Sequence, residues 1–176
     1  MKLTKLSVGL IVAVILAATF ILYNNQKKVE HGMQMKLESL AGNSLYEIWH
    51  NYTNISSSNM LTQEKLENAQ IKLSMVQAYS RVVDTSTNTD ILESIAKHYI
   101  EKINGMSQNY KSTDSFSQKD EEEYRDIMKN IQNLLSLISQ VYYDKKDIEG
   151  GKASLSINKN SYYTQLIQYK NSLLQR

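Results

Sequence analysis

The chain contains no cysteine. That excludes disulfides, zinc–thiolate and iron–sulfur centres, thiolate nucleophiles and lipid attachment through sulfur. It contains no proline and only six glycines in 176 residues. Kinks and tight turns must therefore be few, and no glycine-rich loop is present to cradle a phosphate. Phenylalanine (two) and tryptophan (one) are scarce, although tyrosine is abundant at 12. Neither charge sign dominates: 20 Lys and Arg stand against 18 Asp and Glu, and Lys2 and Lys5 account for the excess. A nucleic-acid binder normally carries a basic face, and no basic run follows Lys28, so nucleic acid is not an expected partner. Strand-like alternation is also missing, as is any repeat longer than a heptad.

One long uncharged run is present. Leu6 to Tyr23 (LSVGLIVAVILAATFILY) has no charge and a single glycine. It is about as long as a helix needs to be to cross a hydrocarbon core, roughly 17–25 residues. Residues 1–5 form a short tail, 6–23 a transmembrane signal-anchor helix, 24–28 a polar collar and 29–176 a helical domain. Ala17-Ala18-Thr19 is the nearest approach to a signal-peptide cleavage site, but it lies inside the apolar run. The run also exceeds the roughly 7–15 residues of a signal-peptide core. A retained anchor is therefore expected, with a cleaved signal peptide on a secreted protein as the alternative. A short tail before a long domain fits a cytoplasmic N-terminus and an extracytoplasmic bundle, periplasmic or on the cell surface. The lysines flanking the run nearly balance, so the positive-inside rule adds little. Tyr23 and the Lys27-Lys28 pair suit the headgroup region.

After the collar the apolar residues follow helical steps. Met33, Leu37, Leu40, Ala41, Ser44, Leu45, Ile48 and Tyr52 form a stripe over 29–52. Nothing in the collar breaks a helix, so the anchor is free to run into this segment. Leu66, Ala69, Leu73, Val76, Ser80 and Val83 form a heptad seam over 60–83, widened by Met75, Tyr79 and Val82. Leu92, Ile95, Ala96, Tyr99 and Ile103 mark a third helix over 91–104, with Asp90 and Glu93 resembling a capping box and Asn104-Gly105 a stop. Ser107–Ser117 reads as a mobile polar loop, with Phe116 tucked under the bundle end. Tyr124, Ile127, Ile131, Leu134, Ile138 and Val141 form a second clean seam over 118–146, broadened by Met128, Leu135 and Tyr142. Its acidic start (Asp120 to Glu123) and basic end (Lys145, Lys146) suit the helix dipole. A turn at Gly150-Gly151 leads to a last helix over 157–174, with Lys159, Tyr162, Leu166, Tyr169 and Leu173 on its seam. The fold class that follows is all-α: an N-terminal transmembrane helix, then an antiparallel four- to five-helix bundle with heptad-like seams.

Chemistry-bearing patterns are sparse. Glu47-Ile-Trp-His50 has the Glu-x-x-His step of di-iron bundles, but such a site needs two of these and two further carboxylates facing the core. Glu47 and His50, like His98 and Glu101, fall off the seams. No catalytic, metal-ligating or cofactor-binding residue is expected, and the chain does not read as an enzyme. The paired tyrosines Tyr142-Tyr143 and Tyr162-Tyr163, together with Trp49, are the candidate partner-contact residues, because Tyr and Trp concentrate at interfaces. For each, packing in or beside the core is the plainer explanation. The expected partners are the bilayer, through residues 6–23, and a protein or a second copy. The expected function is a membrane-anchored, non-enzymatic interaction or assembly module at the outer face of a membrane. A ligand-binding, sensor-like domain with a pocket beside the 107–117 loop is the alternative.

Overall fold

The computed structural model describes the backbone of residues 2–57, 60–142 and 161–175, and side chains from Thr19 onward within them. Among the described residues there are five α-helices and no strand: α1 (Lys2–Ile55), α2 (Gln63–Thr87), α3 (Ile91–Thr113), α4 (Gln118–Tyr142) and α5 (Ser161–Leu174). The chain divides into two compact units, Met1–Leu37 and Glu38–Arg176.

In the first unit the backbone is helical from Lys2 onward. With no proline and no helix-stopping cluster, the collar continues the helix. The Lys27 ammonium lies 4.8 Å from the centre of the Tyr23 ring, a cation–π contact. Among the described residues no helix is long and apolar enough to cross a membrane. The side chains of Leu6 to Ala18, the greater part of the apolar run, lie outside that set.

The second unit is an all-α helical bundle. The six seam residues of α2 and the six of α4 are all buried, as are the five inward residues expected on α3. Ala41, Ser44, Leu45, Ile48 and Tyr52 of α1 complete the core with Leu166 and Leu173 of α5. Helices α2 and α3 run in opposite directions, as do α3 and α4. Gln70 and Arg81 of α2 bond Asn104 and Glu93 of α3. Asn109 and Lys102 of α3 meet Asp120 and Glu123 of α4. Tyr169 of α5 donates to the carbonyl of Asn130 on α4.

Several expectations are corrected. Helix α3 does not stop at Asn104-Gly105 but runs to Thr113, so residues 107–113 are helix, not loop. A helical glycine costs only about 1 kcal/mol, and Met106, fully buried one residue later, outweighs it. The actual stop is Asp114, in the left-handed region at φ 54°. Phe116 does tuck in, stacked on Tyr110 with ring centres 4.5 Å apart.

Asp90 makes no side-chain cap of α3. Asp84, buried at the end of α2, accepts from the Leu92 and Glu93 amides at 3.3 and 2.8 Å and from the Thr89 hydroxyl at 2.8 Å. Glu93 instead pairs with Arg81 and Lys97, and Asp90 with Lys170. Helix α2 starts at Gln63, capped by Thr62, and not at Met60. Met33, Leu37, Leu40 and Met75, expected on the apolar stripes, are exposed. Lys145-Lys146, Gly150-Gly151 and Lys159 lie outside the described residues.

Candidate functional site

The described tyrosines range from fully buried through half-buried to exposed. Tyr52, Tyr99, Tyr124 and Tyr142, from α1, α3 and α4, are fully buried and take the place that phenylalanine fills in most cores. Tyr52 meets Tyr99 edge-on at 6.4 Å, a favourable aromatic geometry. Tyr169 donates to the Asn130 carbonyl at 2.9 Å, and its oxygen receives the Tyr99 hydroxyl. That relay ties α3, α5 and α4 together. The Tyr52 hydroxyl is buried with no hydrogen-bond partner among the described residues. Burial, with Tyr169 nearby, pushes its phenol far above the ordinary value. The Tyr142 phenol is raised in the same way, by burial first and then by Asp84 and Tyr163.

A second aromatic group faces solvent. Tyr46 and Trp49 are 57% and 43% exposed. With His50 they follow helical i, i+3, i+4 spacing, on the flank of α1 beside the buried Leu45, Ile48 and Tyr52. Tyr46 and His50 stack at 6.0 Å, with planes 12° apart. The Asn54 amide, 3.0 Å from His50 Nε2 and 2.9 Å from the His50 carbonyl, fixes the imidazole against its own helix. Trp49 had packing as its plainer explanation; it stands outside the core because the seam of α1 passes through Ile48 and Tyr52. Tyr46 had not been singled out. Its spacing from Trp49, on the flank beside the seam, is the signal that would have found it.

The remaining partner-contact candidates lie elsewhere. Tyr142 is core and offers no outward surface. Tyr143 lies outside the described residues. Tyr162 is exposed, and Tyr163 is half-buried against the core. One tyrosine of each pair was expected to fill the core and the other to lie at its edge; Tyr142 fills the core, but Tyr163 lies at its edge and Tyr162 is exposed. Asn51 is buried, its amide donating to the Glu47 carbonyl at 2.8 Å.

A small cleft of about 170 Å³ opens between α3, α4 and α5, with His98, Lys102, Glu123, Asp126 and Asn130 among its walls. Lys102 and Glu123 pair at 2.8 Å across it. Burial and the Lys102 charge lower the His98 pKa, and Glu101 and Glu123 only partly offset them. Among the described residues no three His, Asp or Glu side chains are grouped to hold a metal ion. The acidic start of α4 is structural at Asp120. Ser117 donates to it from backbone and hydroxyl at 3.0 and 2.6 Å, and the Asp120 amide returns a bond to the hydroxyl at 3.2 Å. Asn109 of α3 adds another at 3.0 Å. This is a capping box with aspartate in the acidic position.

No protein family matches the chain, and no curated protein or solved structure is significantly similar to it.

Proposed function

We propose that the protein is a membrane-anchored, non-enzymatic helical-bundle module that binds a protein partner at the outer face of a membrane. Residues 6–23 hold it to the bilayer with the N-terminus in the cytoplasm. The supporting observation is the outward face of α1. The chain's sole tryptophan stands there exposed beside a Tyr46–His50 stack, while the four largest interior positions are filled by tyrosine. Trp and Tyr dominate interface energetics when a partner desolvates them. A ligand-binding reading has less support, since residues 107–113 of the loop expected beside its pocket are helical.

A single tryptophan makes the test direct. Emission from the full-length protein in membranes reports Trp49 alone. A bound partner shifts that emission to the blue and lowers quenching by iodide several-fold. The doubly substituted Tyr46→Ala, His50→Ala protein folds but loses the shift. Emission and quenching that stay the same in native membranes as in the purified protein contradict the proposal.

A further inference from the structure

The first unit carries an apolar pattern that its own helix cannot satisfy. Leu22, Val29, Met33 and Leu37 are exposed. With Gln26 they advance in steps of four, three, four and four residues. Those steps keep them on one face of a helix with about 3.6 residues per turn. The remaining faces are mostly polar, bearing Asn24, Lys27, Lys28, His31 and Gln34. Each of these apolar side chains is more than two-fifths exposed.

We infer that this stripe is the seam of a parallel pair formed with a second copy of the chain. Charge placement favours a copy over an unrelated helix. Glu30 lies on one flank of the stripe and Lys36 on the opposite flank, equally far from its centre by helical rotation. In a parallel two-fold pair, opposite flanks face each other. Glu30 of each copy therefore faces Lys36 of the other, about 9 Å further along the axis at 1.5 Å rise per residue, within reach of two long side chains. The arrangement is self-complementary: one sequence supplies both charges twice. An anchor in the same bilayer gives both copies the same direction and concentrates them in two dimensions, so this inference rests on the anchored reading above. It goes beyond that reading by naming the partner of this segment.

Because the chain has no cysteine, single cysteines test the seam cleanly in the full-length protein in membranes. A disulfide needs Cα atoms about 4.4–6.8 Å apart, a spacing met only by seam positions. Mild oxidation links Val29→Cys, Met33→Cys and Leu37→Cys into covalent dimers, with yields several-fold above those of Lys28→Cys, His31→Cys and Gln34→Cys. Adding Lys36→Glu to Met33→Cys lowers its yield several-fold, and adding Glu30→Lys as well restores it. Uniform yields around the helix, no dimer, or adducts of a mass other than two chains overturn the inference. Absence of dimer while Trp49 remains shielded in native membranes rejects the paired stripe and leaves the interaction module standing. Seam-specific dimers with a freely quenched Trp49 do the reverse.

Discussion

Tyrosine in the core shows at single residues what tertiary context adds to sequence. Tyr52 carries its hydroxyl into the interior without a hydrogen-bond partner among the described residues, and an unsatisfied buried hydroxyl costs about 1–3 kcal/mol. Tyr52→Phe keeps the ring and its edge contact to Tyr99. Urea unfolding of the variant should therefore show equal or greater stability, by up to about 1 kcal/mol. Tyr169→Phe should do the opposite, losing roughly 1–2 kcal/mol, because it removes the bonds to the Asn130 carbonyl and to the Tyr99 hydroxyl. The two rings are indistinguishable by spacing alone, since what separates them is the presence of Asn130 on another helix. Asp120 carries a pH signature. Burial alone would raise its pKa, but the bonds from Ser117 and Asn109 hold it below the ordinary value. A depressed carboxyl stabilises the fold above its unfolded pKa, near 3.9, and that contribution is lost as pH falls through the folded value. Chemical unfolding followed from pH 6 to about pH 3 should fall less steeply for Asp120→Asn than for the parent. Equal slopes would remove Asp120 from the account.

At the scale of the element, the long seams of α2 and α4 were legible because apolar residues repeat at three and four steps over more than four turns. No competing period fits them. The helix ends were less legible. The true cap of α3 is Asp84, a residue of the preceding helix whose carboxylate reaches amides eight and nine positions later; local motif reading selects Asp90 instead. Gly105 misled for the opposite reason: a local stop signal lost to the burial of Ile103 and Met106. Its position gives a test. A Cβ at Gly105 meets nothing within 4 Å, so Gly105→Ala should stabilise by about 0.5–1 kcal/mol in thermal or denaturant unfolding. Destabilisation would mean that the helix ends there after all. The aromatic face of α1 was half legible. Trp49 was a candidate because Trp concentrates at interfaces, and the stripe through Ile48 and Tyr52 was already legible; the stacking of Tyr46 on His50 beside it was not.

For the molecule as a whole, composition had already narrowed the field. Lack of cysteine, near-zero charge and the absence of any catalytic pattern left a helical bundle behind one apolar run. The bundle in Glu38–Arg176 agrees with that, and its outward aromatic face supports an interaction role. The anchor is the central claim, and it rests on the length and uncharged character of residues 6–23. The most direct measurement is protease digestion of the full-length protein in sealed, right-side-out membranes, with detection of an N-terminal tag. The account predicts that the bundle is digested from outside and that a short tagged fragment ending just beyond Tyr23 stays with the membrane after an alkaline wash. A full-length chain protected until the membrane is broken, or a protein released by the wash, would contradict it.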